Sequence, residues 1–134
     1  MNIIVSVDKN NGFMFNHRRQ SQDRELVAKV IEISSTAKLL MNEYSAQLFQ
    51  KAENLIVSED FLAKAEKGDF CFVEGGKIPF ENIEDIYVFN WNRDYPADEF
   101  FDFDFKANGY KRVKKTEFVG NSHKKITLEI YKRG

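Results

Sequence analysis

The sequence predicts an α/β domain with a mostly parallel central sheet, helices on both of its faces, and an antiparallel pair of strands at the C-terminal end. Three observations carry that prediction. Residues 2–7, NIIVSV, are largely apolar on both faces and rich in β-branched side chains, as a buried central strand should be. From there to about residue 91, strand-like runs alternate with helix-like ones, the pattern of parallel strands joined by right-handed crossovers. The tail YKRVKKTEFVGNSHKKITLEIYKR then holds two strand-like runs joined at Gly120-Asn121 with no helix between them, which calls for antiparallel pairing.

After the first strand, DKNNG at 8–12 is a turn by residue type, and a polar, basic segment, FMFNHRRQSQD, follows it. Ser21 or Asp23 caps a helix running to about Ser34, with Leu26, Val27, Val30 and Ile31 spaced for one apolar face. Residues 37–41 read as a strand, 43–52 as a short helix and 54–58 as a third strand. Ser58 opens a helix that Gly68 ends. DFCFVEGG at 69–76 is the fourth strand, IPFENI a helical turn, and DIYVFNW at 85–91 the fifth strand. With no repeat and no linker, residues 1–134 read as a single domain.

Composition narrows the function classes. A formal net charge of −1 selects neither nucleic acid nor an anionic membrane as partner. The single cysteine, Cys71, makes no internal disulfide, which suits a reducing, cytoplasmic setting. The N-terminus reads as a strand rather than a signal peptide, and no apolar run approaches a membrane span. Charge is segregated late in the chain: residues 81–105 hold eight acidic side chains and one Arg, whereas 106–134 hold nine Lys/Arg and two acidic side chains. Pairing between adjacent strands explains this, and a basic patch for phosphate or RNA is the alternative.

The least ordinary stretch is Asn16-His17-Arg18-Arg19-Gln20-Ser21-Gln22-Asp23-Arg24. It places Arg18, Arg19 and Arg24 around a helix start, where free N–H groups and the dipole favour an anion. A solvated basic loop is the plain alternative. His123 offers a general acid or base, and an exposed turn histidine is the plain alternative there. Trp91 and Tyr95 stand ready to stack a ring or to cover the sheet end.

IIVSVDKNNG, LLMNEYSAQLF, FCFVEGGKIPFENIEDIYVFNWNRDYPADEFF and GNSHKKITLEIYKR together resemble dihydrofolate reductase over nearly the whole chain. The resemblance implies that family's three-layer α/β fold. It also implies site residues. Asp23 stands near the family's acid at the start of the first long helix. Ser45 stands near a cofactor-contacting Thr. Gly75-Gly76 matches a Gly-Gly beside the cofactor that carries a cis peptide in the family. Two positions depart from the pattern. Glu43 replaces the Arg that would pair with the 2′-phosphate of NADPH, so NADPH is not expected to bind. Phe89 replaces a Thr that would contact folate. RRQSQDR, WNRDYPAD and NSHKKIT also resemble small bacterial proteins labelled ribonuclease Z, but two histidines, His17 and His123, cannot build that enzyme's zinc site, and no metal site is expected.

Three readings follow. The first is a pseudoenzyme on a reductase-like scaffold. It would bind a small anionic or nucleotide-like ligand through Arg18, Arg19, Arg24, Ser45, Gly75 and Gly76 in an open cleft over the strand ends. The second is an enzyme: a divergent NADPH-dependent reductase with Asp23 as acid, or a nuclease with His123. The third is an interaction module without cleft chemistry that forms a homodimer through a sheet edge or an aromatic surface.

Overall fold

The computed structural model describes all residues, Met1–Gly134. Its centre is β1 (Asn2–Val7), buried along its whole length. On one side β1 pairs in parallel with β6 (Phe70–Phe72), which leads out to β4 (Leu39–Met41) and β5 (Leu55–Val57), also parallel. On the other side it pairs in parallel with β7 (Asp85–Asn90). The last strand, β10 (Ile126–Arg133), lies antiparallel between β7 and β9 (Tyr110–Phe118). The sheet order is therefore β5-β4-β6-β1-β7-β10-β9.

The two faces of the sheet carry different covers. Helix α1 (Arg24–Ile33) lays Leu26 and Val30, one turn apart, on the face that includes Ile4, Phe72, Phe89 and Ile126. Each such buried aliphatic side chain contributes roughly 1.5–3 kcal/mol. The opposite face, with Ile3, Val5, Val7 and Ile86, is covered by α3 (Phe61–Lys64) and by the aromatic run Phe101, Phe103 and Phe105. These rings pack on one another and on Phe80, Tyr110 and Tyr131. No helix is long and apolar enough to cross a membrane.

Helices are shorter than their patterns predict. Residues 43–52 hold one helical turn, α2 (Glu43–Ala46), capped by the Asn42 side chain. The chain then winds on through tighter bonds, Leu48 N–H to Ser45 and Phe49 N–H to Ala46, which drop Phe49 fully into the core. The helix expected from Ser58 to Gly68 shrinks to Phe61–Lys64, because Ala65 turns extended. The basic segment after Gly12 is not a loop but a hairpin, β2 (Gly12–Phe15) and β3 (Arg18–Arg19), joined by β8 (Glu99–Phe100) on its other edge. Its turn residues Asn16 and His17 both take positive φ, the requirement of a tight two-residue hairpin turn.

Candidate functional site

The hairpin folds back over the carboxyl ends of the parallel strands. Arg19, on β3, reaches Glu74, two residues beyond the end of β6: its Nε donates to Oε2 at 2.8 Å and its Nη2 to Oε1 at 3.0 Å. This is a fork-on-fork ion pair. Its partners are sealed, with side-chain exposure of 16% for Arg19 and 6% for Glu74. Ser45, fully buried on α2, donates its hydroxyl to the same Glu74 oxygen at 2.7 Å. The Arg19 guanidinium lies 4.2 Å from the centroid of the Tyr44 ring and donates to the Tyr44 carbonyl at 3.2 Å.

Beside this pair, Met14 of β2 packs onto Gly75 so closely that any side chain there would strike its sulfur. Gly76 donates its N–H to Glu99 at 3.3 Å, and the chain holds no cis peptide bond, so the Gly75-Gly76 link is trans. Where the sequence predicts an open cleft over the strand ends, Met14 and the Arg19–Glu74 pair take up the space beside Gly75; Phe13 and Phe89 belong to the core, and Phe15 is 47% exposed.

A second cluster lies at the start of α1. Asp23 is the helix cap, accepting from the Glu25 N–H at 2.9 Å. The same carboxylate accepts from the backbone N–H groups of Asn121 (2.9 Å) and Ser122 (2.8 Å) and from the Ser122 hydroxyl (3.2 Å). His123 Nδ1 lies 2.8 Å from its Oδ2. Gly120 permits this wrap, because a Cβ there would stand 2.5 Å from the carboxylate. Burial pushes the Asp23 carboxyl up, but the Asn121, His123, Ser122 and Glu25 hydrogen bonds outweigh it and hold the group well below the usual carboxylate range. His123 is buried, not an exposed turn residue, and stacks on Trp91 with ring centroids 4.6 Å apart. Its Nε2 faces the hydroxyls of Ser21 and Tyr95, each at 3.0 Å.

An open groove of about 760 Å³ runs between α1 and the turn at 47–51. Val27, Ala28, Ile31 and Leu48 supply its apolar surface. Arg24, Lys51, Gln22, Gln47, Gln50 and Asn121 supply its polar rim. Arg24 donates to the Asn121 side chain at 2.6 Å, not to an acid. Asp23 lies beneath, its side chain 0% exposed.

The strand order is that of an α/β protein with the dihydrofolate-reductase-like fold. Superposition on dihydrofolate reductase from Enterococcus faecalis, complexed with NADP(H) and RAB-propyl, gives a TM-score of 0.68, covering 99% of this chain and 95% of that one at 16% sequence identity. No protein-family model matches the sequence, and no curated protein does.

The sequence-predicted residues fall into separate places. Asp23 and His123 meet, although 100 residues separate them. Arg19 and Ser45 meet through Glu74, with Gly75 next in the chain and Gly76 directed to Glu99. Arg18 stands apart, exposed on the hairpin, and Arg24 lines the groove. His17 is at the hairpin turn with its side chain 95% exposed, far more open than His123. Sequence reasoning missed Glu74 and Ser21. A carboxylate directly before Gly75-Gly76 at a strand end was the available signal for Glu74; Ser21 reads as a helix cap until His123 is seen beside it.

Proposed function

We propose that this chain is a ligand-binding protein on a dihydrofolate-reductase-like scaffold, taking a small molecule with a flat apolar body and an anionic group, and that it does not carry out NADPH-dependent reduction. The observation that carries this reading is the groove beside α1. Its volume of about 760 Å³ lies in the range of small-molecule sites. Its apolar side chains suit a ring, and Arg24 and Lys51 at its rim suit a carboxylate or phosphate. Of the arginines expected to serve a ligand, Arg19 is paired with Glu74, and Arg24 lines this groove.

The resemblance to the reductase places its cofactor beside the Gly-Gly turn and the residues after the second strand. In this chain Met14 occupies the space over Gly75, and Arg19 is spent on Glu74. Glu43 is exposed there, with its N–H donating to the Glu59 carboxylate at 2.9 Å, so two acids face any phosphate.

Thermal denaturation with ligands tests the proposal. An aromatic carboxylate at 100 times its dissociation constant stabilises the fold by about 2.7 kcal/mol. Ala28→Trp, which places an indole in the groove, abolishes that shift, and NADPH gives none. A shift with NADPH, or aromatic-carboxylate shifts that survive Ala28→Trp, would overturn the reading.

A further inference from the structure

A helix cap needs only an acceptor, and Asp23 meets that need with its bond to Glu25 N–H. The rest of its surroundings exceed it. The carboxylate is ionised and accepts only, so His123 Nδ1 carries the hydrogen that faces it at 2.8 Å. In the neutral ring, that tautomer turns the Nε2 lone pair toward Ser21 Oγ, at 3.0 Å. Stacking on Trp91, tilted by 27°, holds the imidazole in place. Asp23 and His123 are buried, whereas Ser21 is half-buried, so the chain of groups ends at the edge of solvent.

We propose that Ser21, His123 and Asp23 form a catalytic triad for acyl transfer from small esters. The activity does not rest on ligand binding in the groove beside α1, which Ser21 does not line. Ser21 Oγ forms a bond to the ester carbonyl carbon while its proton passes to His123 Nε2, and the carbonyl π pair moves to oxygen. Collapse of that tetrahedral species breaks the bond to the alcohol oxygen, which takes the proton from Nε2 as it leaves. Water then attacks the acyl-serine by the same route, giving a carboxylic acid and free Ser21. Asp23 is the positioning residue: it stays ionised, orients the ring and stabilises the imidazolium. Tyr95, its hydroxyl 3.0 Å from Nε2 and 3.4 Å from Ser21 Oγ, donates to the serine oxygen in the resting state and accepts from the protonated ring.

The substrate side in this proposal is the neighbouring cavity of about 340 Å³. Ser21 does not itself line it, but Gln20, next to Ser21 in the chain, and its hydrogen-bond partner Tyr95 do, together with Phe15, Pro96 and the two hairpin arginines. Arg19 is neutralised by Glu74, which leaves the exposed Arg18 as the free cation. The geometry therefore favours an ester bearing a negative charge near Arg18.

A fluorophosphonate, which forms a stable bond only with an activated serine, tests the triad on the full chain by intact mass and peptide mapping. The expected result is a single adduct on Ser21, absent in Ser21→Ala of unchanged melting temperature, absent for the chain unfolded in urea, and retained in Ser35→Ala. No adduct on the native chain, an adduct on another residue, or equal labelling in urea would each overturn the proposal. For the substrate class, the rate of hydrolysis of 4-nitrophenyl succinate relative to 4-nitrophenyl acetate is expected to fall in Arg18→Gln; an unchanged ratio refutes the role of Arg18.

Discussion

Asp23 illustrates how one side chain can serve a helix, a turn and a ring at once. Its two oxygens accept from Glu25, Asn121, Ser122 and His123 while sealed from water. Because its folded-state pKa is depressed, its stabilisation is present above the unfolded value of 3.8 and is lost as pH falls below that toward the folded-state value. Asp23→Ala leaves several buried donors unpaired and should cost about 3 kcal/mol near neutrality. In urea titrations that cost should shrink between about pH 5 and pH 2, as the native chain loses the same stabilisation by protonation. A cost independent of pH would contradict the assigned hydrogen bonds. The capping role of Asp23 was legible in the sequence, since Asp before an apolar helical pattern is a local signal. The burial of His123 was not, because it depends on the 121–123 turn meeting α1 across nearly the full chain.

Among the elements, β9 is the exposed edge of the large sheet. Its central residues Lys111, Arg112, Val113, Lys114 and Lys115 are all exposed. Opposite charges answer only part of the basic excess: Lys132 lies 3.5 Å from Asp85, Lys125 3.1 Å from Glu117, and Arg112 3.0 Å from Glu129. The unpaired lysines of β9 guard its free N–H and C=O groups against another strand. Replacing Lys111, Lys114 and Lys115 together with Val should drive self-association, read as a rise in molar mass by light scattering; an unchanged mass would assign those lysines another role. The strands were legible because apolar runs bounded by turns carry their own signal, as in NIIVSV and DIYVFNW. The β2–β3 hairpin was not, since its turn is Asn16-His17 without glycine, and its strands alternate too briefly to declare a period. The short helices α2 and α3 were overestimated because tertiary demand for Phe49 and Ala65 overrode a favourable local pattern.

At the scale of the molecule, two layers of cover meet one sheet, and the carboxyl ends of its strands are stoppered by the hairpin. The stopper is electrostatic as well as steric. Arg19→Met alone leaves Glu74 buried without its cation and should cost about 3–5 kcal/mol. The double variant Arg19→Met/Glu74→Gln should cost much less than the sum of the single changes, a coupling measured by denaturant unfolding. Additive costs would mean that the pair contributes little. The sheet order was foreseeable from strand–helix alternation and from the resemblance, but the stopper was not. It needs Met14, Arg19, Ser45 and Glu74 from four separate segments, and none of these residue types is unusual at its own position.

That stopper also bears on mutational tolerance. Ends packed in this way open only by several changes made together. Losing Arg19 strands Glu74, losing Glu74 strands Arg19, and enlarging Gly75 drives a side chain into Met14. Each single step lowers stability on its own. The stopper is therefore a unit whose members change without penalty only in concert.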